Sequence, residues 1–257
     1  LEVDIGKRIF YNDELRNCQE IFDLIWRIIM KERANSICRS AAGMVTQYKS
    51  LVIMAVYAVF YLAAFFYLEK RTVAVHEINF GIDAYIPFCE IFIVPYLLWF
   101  GYVALTVVYL CIRDKEESEK LVAFLMAGMT IFIVVSAVFP NGHNLRPTSF
   151  ARDNIFIDLI KNLYQADTPT NILPSIHVYN SVAIMIAVCR SRCFEGHGVV
   201  RAAMLGLGAS IICSTVLIKQ HSTLDVLLAL LLSAVMYSIC YKRAGVREKS
   251  VSKYKNI

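Results

Sequence analysis

Six apolar stretches, each about as long as a membrane-spanning helix, constrain this chain more than any other feature of the sequence. A spanning helix needs about 20 mostly apolar residues, and the candidates lie at 51–68, 91–112, 121–139, 175–190, 199–218 and 224–241. Hydrophobic residues make up 58% of the chain and charged residues 18%, whereas soluble domains have roughly 45–50% and 25%. The sequence therefore predicts an all-α, polytopic membrane protein with six transmembrane helices.

The segments outside the apolar stretches predict two flanking regions. Residues 1–42 form a predicted cytoplasmic extension, in which the apolar but charge-interrupted stretch 18–30 is expected to lie on the membrane surface as an interfacial helix. Residues 43–241 are the predicted membrane domain, and 242–257 a basic cytoplasmic tail. The polar start of the sequence does not fit a cleaved signal peptide. The eight scattered cysteines predict neither a disulfide framework nor a zinc site.

The distribution of positive charge predicts the orientation. With the N-terminus inside, 20 Lys and Arg residues fall on the cytoplasmic side and six on the outer side, which is the asymmetry of the positive-inside rule. The basic residues form short clusters between apolar runs and no continuous face, so nucleic acid is not an expected partner. We expect an integral membrane protein with both termini in the cytoplasm, and a bacterial cell membrane fits best.

Under this topology, three polar clusters meet on the outer face. Arg146 and Pro147 lie in the 140–173 loop, Pro174 to His177 open the fourth span, and residues 214–225 join the fifth span to the sixth. Ionisable groups at membrane depth cost about 2.5–3.5 kcal/mol each on insertion scales, so they call for a partner or a function. Three such clusters at one face predict a shared site.

The third cluster has the spacing of an activated histidine. His221 and Asp225 are four residues apart, so on a helix they share a face, where the carboxylate can hold one imidazole N–H and leave the other nitrogen free as a base or nucleophile. His177, in the second cluster, is placed to protonate a leaving oxygen.

The other polar residues are suited to an anion. Pro174 fits the first turn of a helix, and the free N–H groups around Ser175 would then point at an anion with the positive end of the helix dipole. The guanidinium of Arg146 matches phosphate oxygens in a planar fork, and Lys219 can add a point charge. The three clusters together predict a phosphate site beside an activated histidine.

These residues resemble the type 2 phosphatidic acid phosphatase superfamily, whose motifs read Lys-x6-Arg-Pro, Pro-Ser-x-His and Ser-Arg-x5-His-x3-Asp. The resemblance covers about residues 80–241, in motif order, spacing and six-span order. It implies a membrane lipid phosphatase that hydrolyses a phosphomonoester or pyrophosphate, in which His221 forms a phosphohistidine and Asp225 orients it. His177 would protonate the leaving group, and Arg146 and Ser175 would bind phosphate oxygens. No metal or organic cofactor is implied.

The sequence departs from that family pattern at two positions. Phe139 stands where the first motif has Lys, and Thr215 where the third has Arg, so Lys219 is the candidate to replace one missing cation. The segment 82–88 and the form Gln-His-Ser-Thr-x-Asp-Val are similar to a bacterial branch allied to inositolphosphoryl- and phosphocholine-transferring lipid synthases. A phosphotransferase that moves a head group to a lipid alcohol is therefore an alternative.

Other interpretations of the same residues also remain open. Two His and one Asp can bind a metal ion, and Ser175 or Ser222 could serve a serine hydrolase, although neither has the nucleophile-elbow pattern. A transporter or scaffold could use buried polar groups to line a path or to join helices. That interpretation predicts polar groups spread through the depth of several spans, whereas here they concentrate near one face.

Overall fold

The computed structural model describes residues 30–31 and 48–242. The predictions for 1–29, 32–47 and 243–257, including most of the interfacial helix and the basic tail, lie outside the described residues. The chain divides into two compact units after Lys49, and the unit that begins at Ser50 contains every predicted site residue.

This unit consists of helices with very little sheet. The seven α-helices are α1 (Lys49–Glu69), α2 (Ile93–Arg113), α3 (Lys115–Val138), α4 (Ile155–Ala166), α5 (Ile176–Arg190), α6 (Gly198–Leu217) and α7 (Thr223–Tyr237). Short 3₁₀ turns lie at Gly81–Ala84, Glu90–Phe92 and Arg192–Phe194, and a π-helical turn at Ser238–Lys242 follows α7. Two-residue strands, β1 (His76–Glu77) and β2 (Asn141–Gly142), pair in parallel.

Five of the helices are long and apolar enough to cross a membrane, which confirms the membrane-protein class. They are α1, α2 with the 3₁₀ turn before it, α3, α6, and α7 with the π-helical turn after it. The helix at the fourth predicted span, α5, is apolar but has 15 residues, so it measures about 23 Å at 1.5 Å per residue, less than the ~30 Å hydrocarbon layer. The sixth span therefore stays a prediction.

The structure also corrects the interpretation of 140–173 as a loop. Twelve of these residues form α4, an amphipathic helix whose N-cap is Asn154, with Oδ1 accepting the backbone N–H groups of Phe156 (3.0 Å) and Ile157 (3.1 Å). Ile157 and Ile160 are fully buried, and α4 packs against α2. At 12 residues the helix is too short to span the bilayer.

The core of the unit lies around α5, which packs against α2, α3, α6 and α7. Tyr179 is fully buried on α5, stacks on Phe124 of α3 at 4.8 Å and donates its hydroxyl hydrogen to the Phe124 carbonyl at 2.8 Å. The ring fits because α3 has Gly128 at the point of contact. By contrast, α1 leaves large apolar side chains such as Val56 and Val59 exposed, as a lipid-facing helix does.

Many polar groups of the unit lie at one end of the bundle, where segments 70–92, 139–175 and 218–222 connect the helices. The backbone N–H of His76 donates to the Pro140 carbonyl at 2.8 Å, and that of Asn171 donates to the Asn141 carbonyl at 2.7 Å. Arg71 donates to the carbonyls of Ser136 and Ala137 and so closes the last turn of α3. These three segments position the candidate site.

The packing of α5 on α3 gives a first prediction. A Cβ at Gly128 would lie 2.0 Å from a ring atom of Tyr179, whose hydroxyl is already fixed by its hydrogen bond, so Gly128→Ala should destabilise the protein by roughly 1–3 kcal/mol. The matched control is Gly206→Ala on α6, where nothing lies within 4 Å and Ala should stabilise the helix slightly. Thermal unfolding in detergent, followed by circular dichroism, measures both. Equal midpoints for the two variants would contradict the packing.

Candidate active site

His221 and Asp225 are brought together at the start of α7. Nδ1 of His221 lies 3.4 Å from Oδ2 of Asp225, and both residues are buried. The same carboxylate oxygen accepts the backbone N–H of Ser222 at 2.9 Å, and the Ser222 hydroxyl accepts that of Leu224, which makes a capping box. The local sequence that begins the helix therefore also aims the carboxylate at the imidazole.

The turn before His221 is fixed by the end of α6. The N–H of Lys219 donates to the Val216 carbonyl, and those of Gln220 and His221 donate to the Thr215 carbonyl, at 3.2, 2.9 and 3.0 Å. Lys219 has a φ of 54°, a left-handed conformation that is more common for glycine after a helix. The first two bonds form a Schellman motif, so the backbone around His221 is held by α6 as well as by α7.

The ammonium group of Lys219 binds backbone carbonyl oxygens of this chain. Its ammonium group donates to the carbonyl oxygens of Asp83 at 2.9 Å and Ile86 at 2.6 Å, and the side chain is 9% exposed. Two of its three N–H groups are thus occupied by the 3₁₀ turn at Gly81–Ala84 and the residues after it. Phosphate binding by Lys219 stays a prediction, and the contacts assign it to joining two connecting segments.

His177 lies in an aromatic slot next to His221. Its ring stacks on Tyr96 at 4.4 Å and contacts Trp99 at 4.2 Å, and its centroid is 5.7 Å from that of His221. Nε2 of His177 is buried and has no hydrogen-bond partner within the described part of the chain. A buried ring nitrogen without a partner costs free energy, so this atom is the one on His177 that a ligand could satisfy.

Arg146 reaches the same site through Gln220, the residue before His221. One terminal nitrogen donates to the Gln220 side-chain oxygen, the other donates to the Tyr164 carbonyl at 3.2 Å, and the guanidinium lies 4.4 Å above the Tyr164 ring. Nε of Arg146 is buried and without a partner in the described region. Burial lowers the pKa of Arg146, and the nearby carboxylate of Asp167 opposes that shift.

Ser175 forms the N-cap of α5, so a helix begins where it was predicted, but Pro174 precedes the cap and does not lie in the first turn as expected. Its hydroxyl accepts the Val178 backbone N–H at 3.4 Å, and the side chain is fully buried. Asn141 positions the chain just before this cap, because its Oδ1 accepts the N–H groups of Ile172 and Leu173 at 2.9 and 3.0 Å. The first-turn N–H groups of a helix lack intrahelical partners, so the start of α5 keeps donors for an anion.

The site depends on Asp83, a buried acid that had no predicted role. Asp83 accepts the backbone N–H of Thr223 at 2.7 Å and the Thr223 hydroxyl with one oxygen, and the N–H of Phe80 at 3.0 Å with the other. Burial raises the pKa of Asp83, but these hydrogen bonds, mainly those of Thr223, outweigh it and hold the pKa below its usual value. An ionised Asp83 therefore secures the first turn of α7, next to His221.

Three more polar residues surround the site and were not assigned to it from the sequence. Gln220 is 2% exposed and donates through Nε2 to Asp167 at 3.2 Å while its oxygen accepts from Arg146. His143, in the segment predicted to be a loop, is buried and contacts the Gln220 carbonyl through Nε2 at 2.9 Å. The only sequence signal for His143 was its closeness along the chain to Arg146, and for Gln220 its closeness to His221. Asp167 had no such signal.

The two departures from the family pattern have structural consequences. Phe139 stacks flat on His76, with centroids 4.5 Å apart and ring planes 5° apart, so an aromatic contact replaces a cation there. The hydroxyl of Thr215 donates to the Ile212 carbonyl of its own helix at 2.7 Å. Neither residue supplies a charge to the site.

Comparison with protein-family models finds no match, and neither the curated proteins nor the solved structures provide a similar chain or fold. The metal alternative can be examined on geometry: within 48–242 and 30–31, no group of three or more His, Cys, Asp or Glu side chains is arranged to hold a metal ion. The arrangement instead places a carboxylate-held imidazole 5.7 Å from a second imidazole, with a guanidinium bound to the side chain of the residue before the first.

The buried His143 gives a pH prediction. Its Nδ1 accepts the Leu145 N–H at 3.1 Å, so the proton lies on Nε2, which donates to Gln220. Burial and, to a smaller extent, the charges of His221 and Arg146 lower the pKa of His143, the bond to the Gln220 carbonyl opposes the shift, and the resulting pKa is about 4. The folded state then binds fewer protons than the unfolded state between about pH 6.5 and 4. Stability from this group is complete above pH 6.5 and declines as the pH falls through that window, by about 3 kcal/mol at most.

We expect His143→Gln to lose less stability than the wild type between pH 7 and pH 4.5, measured as thermal midpoints in detergent. His197→Gln is the matched control because His197 is exposed and bonds only within its own loop, at the Glu195 carbonyl. The prediction is wrong if His143→Gln and His197→Gln show the same pH dependence.

Proposed function

We propose that this chain is an integral membrane enzyme that cleaves a phosphoester bond of a lipid through a covalent phosphohistidine on His221. The observation that carries the proposal is the position of His221, with Nδ1 facing Asp225 and its ring 5.7 Å from that of His177. The motif order resembling the type 2 phosphatidic acid phosphatase superfamily supports the same assignment. Five helices able to span a membrane support a lipid substrate, whose apolar tail can stay among them.

The first chemical step follows from the protonation of His221. Asp225 holds a proton on Nδ1, so the lone pair of Nε2 attacks phosphorus and forms the N–P bond. The bond from phosphorus to the leaving oxygen breaks, and that oxygen takes a proton from His177, whose Nε2 has no partner of its own. Arg146 and the donors at the start of α5 stabilise the negative charge of the transferring phosphoryl group.

The second step regenerates the histidine. A hydroxyl oxygen attacks phosphorus, its proton passes to His177, and the N–P bond breaks with the electron pair returning to Nε2 of His221. Water as the attacking molecule makes the protein a lipid phosphatase acting on a monoester or pyrophosphate. We further propose that six helices span the membrane, with both termini in the cytoplasm and the site on the outer face, as the charge distribution predicts.

A head-group transferase is the second candidate, and the charge of the site favours it. The family motifs have cations at the positions of Phe139 and Thr215, and this chain lacks them. Lys219 donates to two backbone carbonyls. Arg146 is then the one cation aimed at the site within residues 48–242. A phosphomonoester or pyrophosphate carries more negative charge than a phosphodiester, so a single guanidinium suits the diester donor of a transferase better.

His221→Ala should abolish turnover, because it removes the nucleophile. The assay measures phosphate release and head-group transfer from a panel of lipid monophosphates, pyrophosphates and phosphodiesters, with and without a chelator. A phosphoenzyme trapped by acid-free quenching should also disappear in the variant. His197→Ala is the matched control, since it removes an exposed imidazole elsewhere.

Each result of this assay decides something. Chelator-resistant release of phosphate that needs His221 identifies the phosphatase, and His221-dependent transfer identifies the transferase. Full activity in His221→Ala would contradict the phosphohistidine, wild-type protein that is inactive toward the whole panel would favour the transporter or scaffold alternative, and loss of activity on chelation would favour a metal site.

Arg146→Lys should lower kcat/KM by at least about tenfold although it keeps the charge, because an ammonium group cannot reproduce the planar fork that bonds Gln220 and Tyr164 and is offered to phosphate. Arg152→Lys is the control: Arg152 is exposed and forms an ion pair with Glu90 at 2.8 Å. Steady-state kinetics on the substrate found with the panel measures both variants. Unchanged kinetics for Arg146→Lys would remove Arg146 from the site.

A further inference from the structure

A carboxylate lies on the far side of the amide that holds Arg146. The Gln220 side chain accepts from Arg146 with its oxygen and donates from Nε2 to Oδ2 of Asp167 at 3.2 Å. Since a guanidinium can only donate, the oxygen of the amide must face Arg146 and its nitrogen must face Asp167. One planar amide thus separates the guanidinium from the carboxylate.

Asp167 acts on the charge of the same site. Its carboxylate raises the pKa of Arg146 against the lowering effect of burial. Burial and the charge of Glu69 raise the pKa of Asp167, and His221 and Arg146 oppose that rise. Glu69 is held close by because it accepts the N–H of Thr168, the next residue after Asp167, at 2.9 Å. An anion bound at Arg146 and His221 therefore experiences a nearby negative charge.

The cations that could compensate for this charge are engaged elsewhere. Lys219 donates to the carbonyls of Asp83 and Ile86, and Arg71 donates to the carbonyls that end α3. His143 is neutral at pH 7, since it accepts a hydrogen bond at Nδ1. The charges of Arg146 and ionised Asp167 then cancel. These two groups together therefore offer a bound phosphate no net positive charge.

We propose that Asp167 is a specificity-determining residue that makes the site discriminate against doubly charged phosphate and in favour of a singly charged phosphodiester. This inference rests on the proposed function and chooses between its two candidates. The Coulomb energy between Asp167 and a bound phosphate is proportional to the charge of the phosphate. Removing the carboxylate charge should therefore help a dianion by the square of the factor by which it helps a monoanion.

The test measures binding rather than turnover, so that it can fail independently of the chemistry. The probes are methyl phosphate, which is dianionic at pH 8.5 because its second pKa is near 6, and dimethyl phosphate, which is monoanionic. Fluorescence of Trp99, which contacts His177 at 4.2 Å, reports binding in the full chain carrying Trp26→Phe, since the sequence has only these two tryptophans. The high pH keeps Asp167 ionised.

Asp167→Asn should tighten methyl phosphate binding about tenfold and dimethyl phosphate binding about threefold, because Asn keeps an acceptor for Gln220 and removes the charge. Asp167→Glu should keep the wild-type preference. Asp158→Asn is the matched control: it neutralises an exposed acid of α4 that pairs with Lys161 and should change neither affinity. Weaker binding of both probes to Asp167→Asn, or equal changes for both, would overturn the proposal, because a merely structural role predicts those results.

Two further measurements keep the inference falsifiable if Asp167→Asn does not fold. The wild type should bind dimethyl phosphate at least as tightly as methyl phosphate, and the reverse order would overturn the proposal. Arg146→Gln should abolish binding of both probes. Binding that does not depend on Arg146 would overturn the anion site and this inference together, whereas inactivity of the wild type in the lipid assays, with intact Arg146-dependent binding, would overturn only the proposed reaction.

Discussion

The polar end of this molecule depends on the turn between α6 and α7, because nearly every other functional segment bonds to it. Its backbone is held by the Thr215 carbonyl, and its Gln220 carbonyl faces Nε2 of His143. The Gln220 side chain joins Arg146 to Asp167, and Lys219 binds the carbonyls of Asp83 and Ile86. Buried polar groups need partners, so this one turn fixes three connecting segments relative to one another.

This dependence explains how residues far apart in the sequence are held together at the candidate site. Asp83 binds the first turn of α7 from 140 residues away, and Asn141 binds the chain just before Ser175. Each of these side chains satisfies backbone N–H groups that would otherwise be unpaired in a buried region, which costs roughly 1–3 kcal/mol per group. The energy that forms the connections therefore also positions the histidines.

The sequence was sufficient to predict the helices of spanning length and the pairing of His221 with Asp225, and the reasons for success and failure are physical. Apolar length identifies α1, α2, α3, α6 and α7 because a span must be about 20 residues long. His221 and Asp225 were predictable because their four-residue spacing is a local property of a helix. By contrast, α4 is amphipathic and short, so it lies in a segment whose polar residues resembled a loop.

Nonlocal contacts escaped the sequence analysis. Lys219 was assigned to phosphate by its closeness to His221 along the chain, whereas its left-handed backbone turns the side chain toward Asp83 and Ile86. Asp167 and Gln220 could not be recognised, because an amide that pairs with a guanidinium on one side and a carboxylate on the other is visible only when all three are brought together. Charge balance in a site is a sum over such contacts, and a motif does not contain it.

The aromatic slot around His177 completes the physical logic of the site. Tyr96 and Trp99 lie against the imidazole of His177 at 4.4 and 4.2 Å, so the surroundings of this ring are largely apolar. In the proposed reaction, His177 gives a proton to the leaving oxygen and takes one from the attacking hydroxyl, and a low dielectric would strengthen the attraction between Arg146 and the phosphoryl group. The same proposal needs only a few cations if the charge of the phosphate is small, which agrees with the uncharged side chains of Phe139 and Thr215.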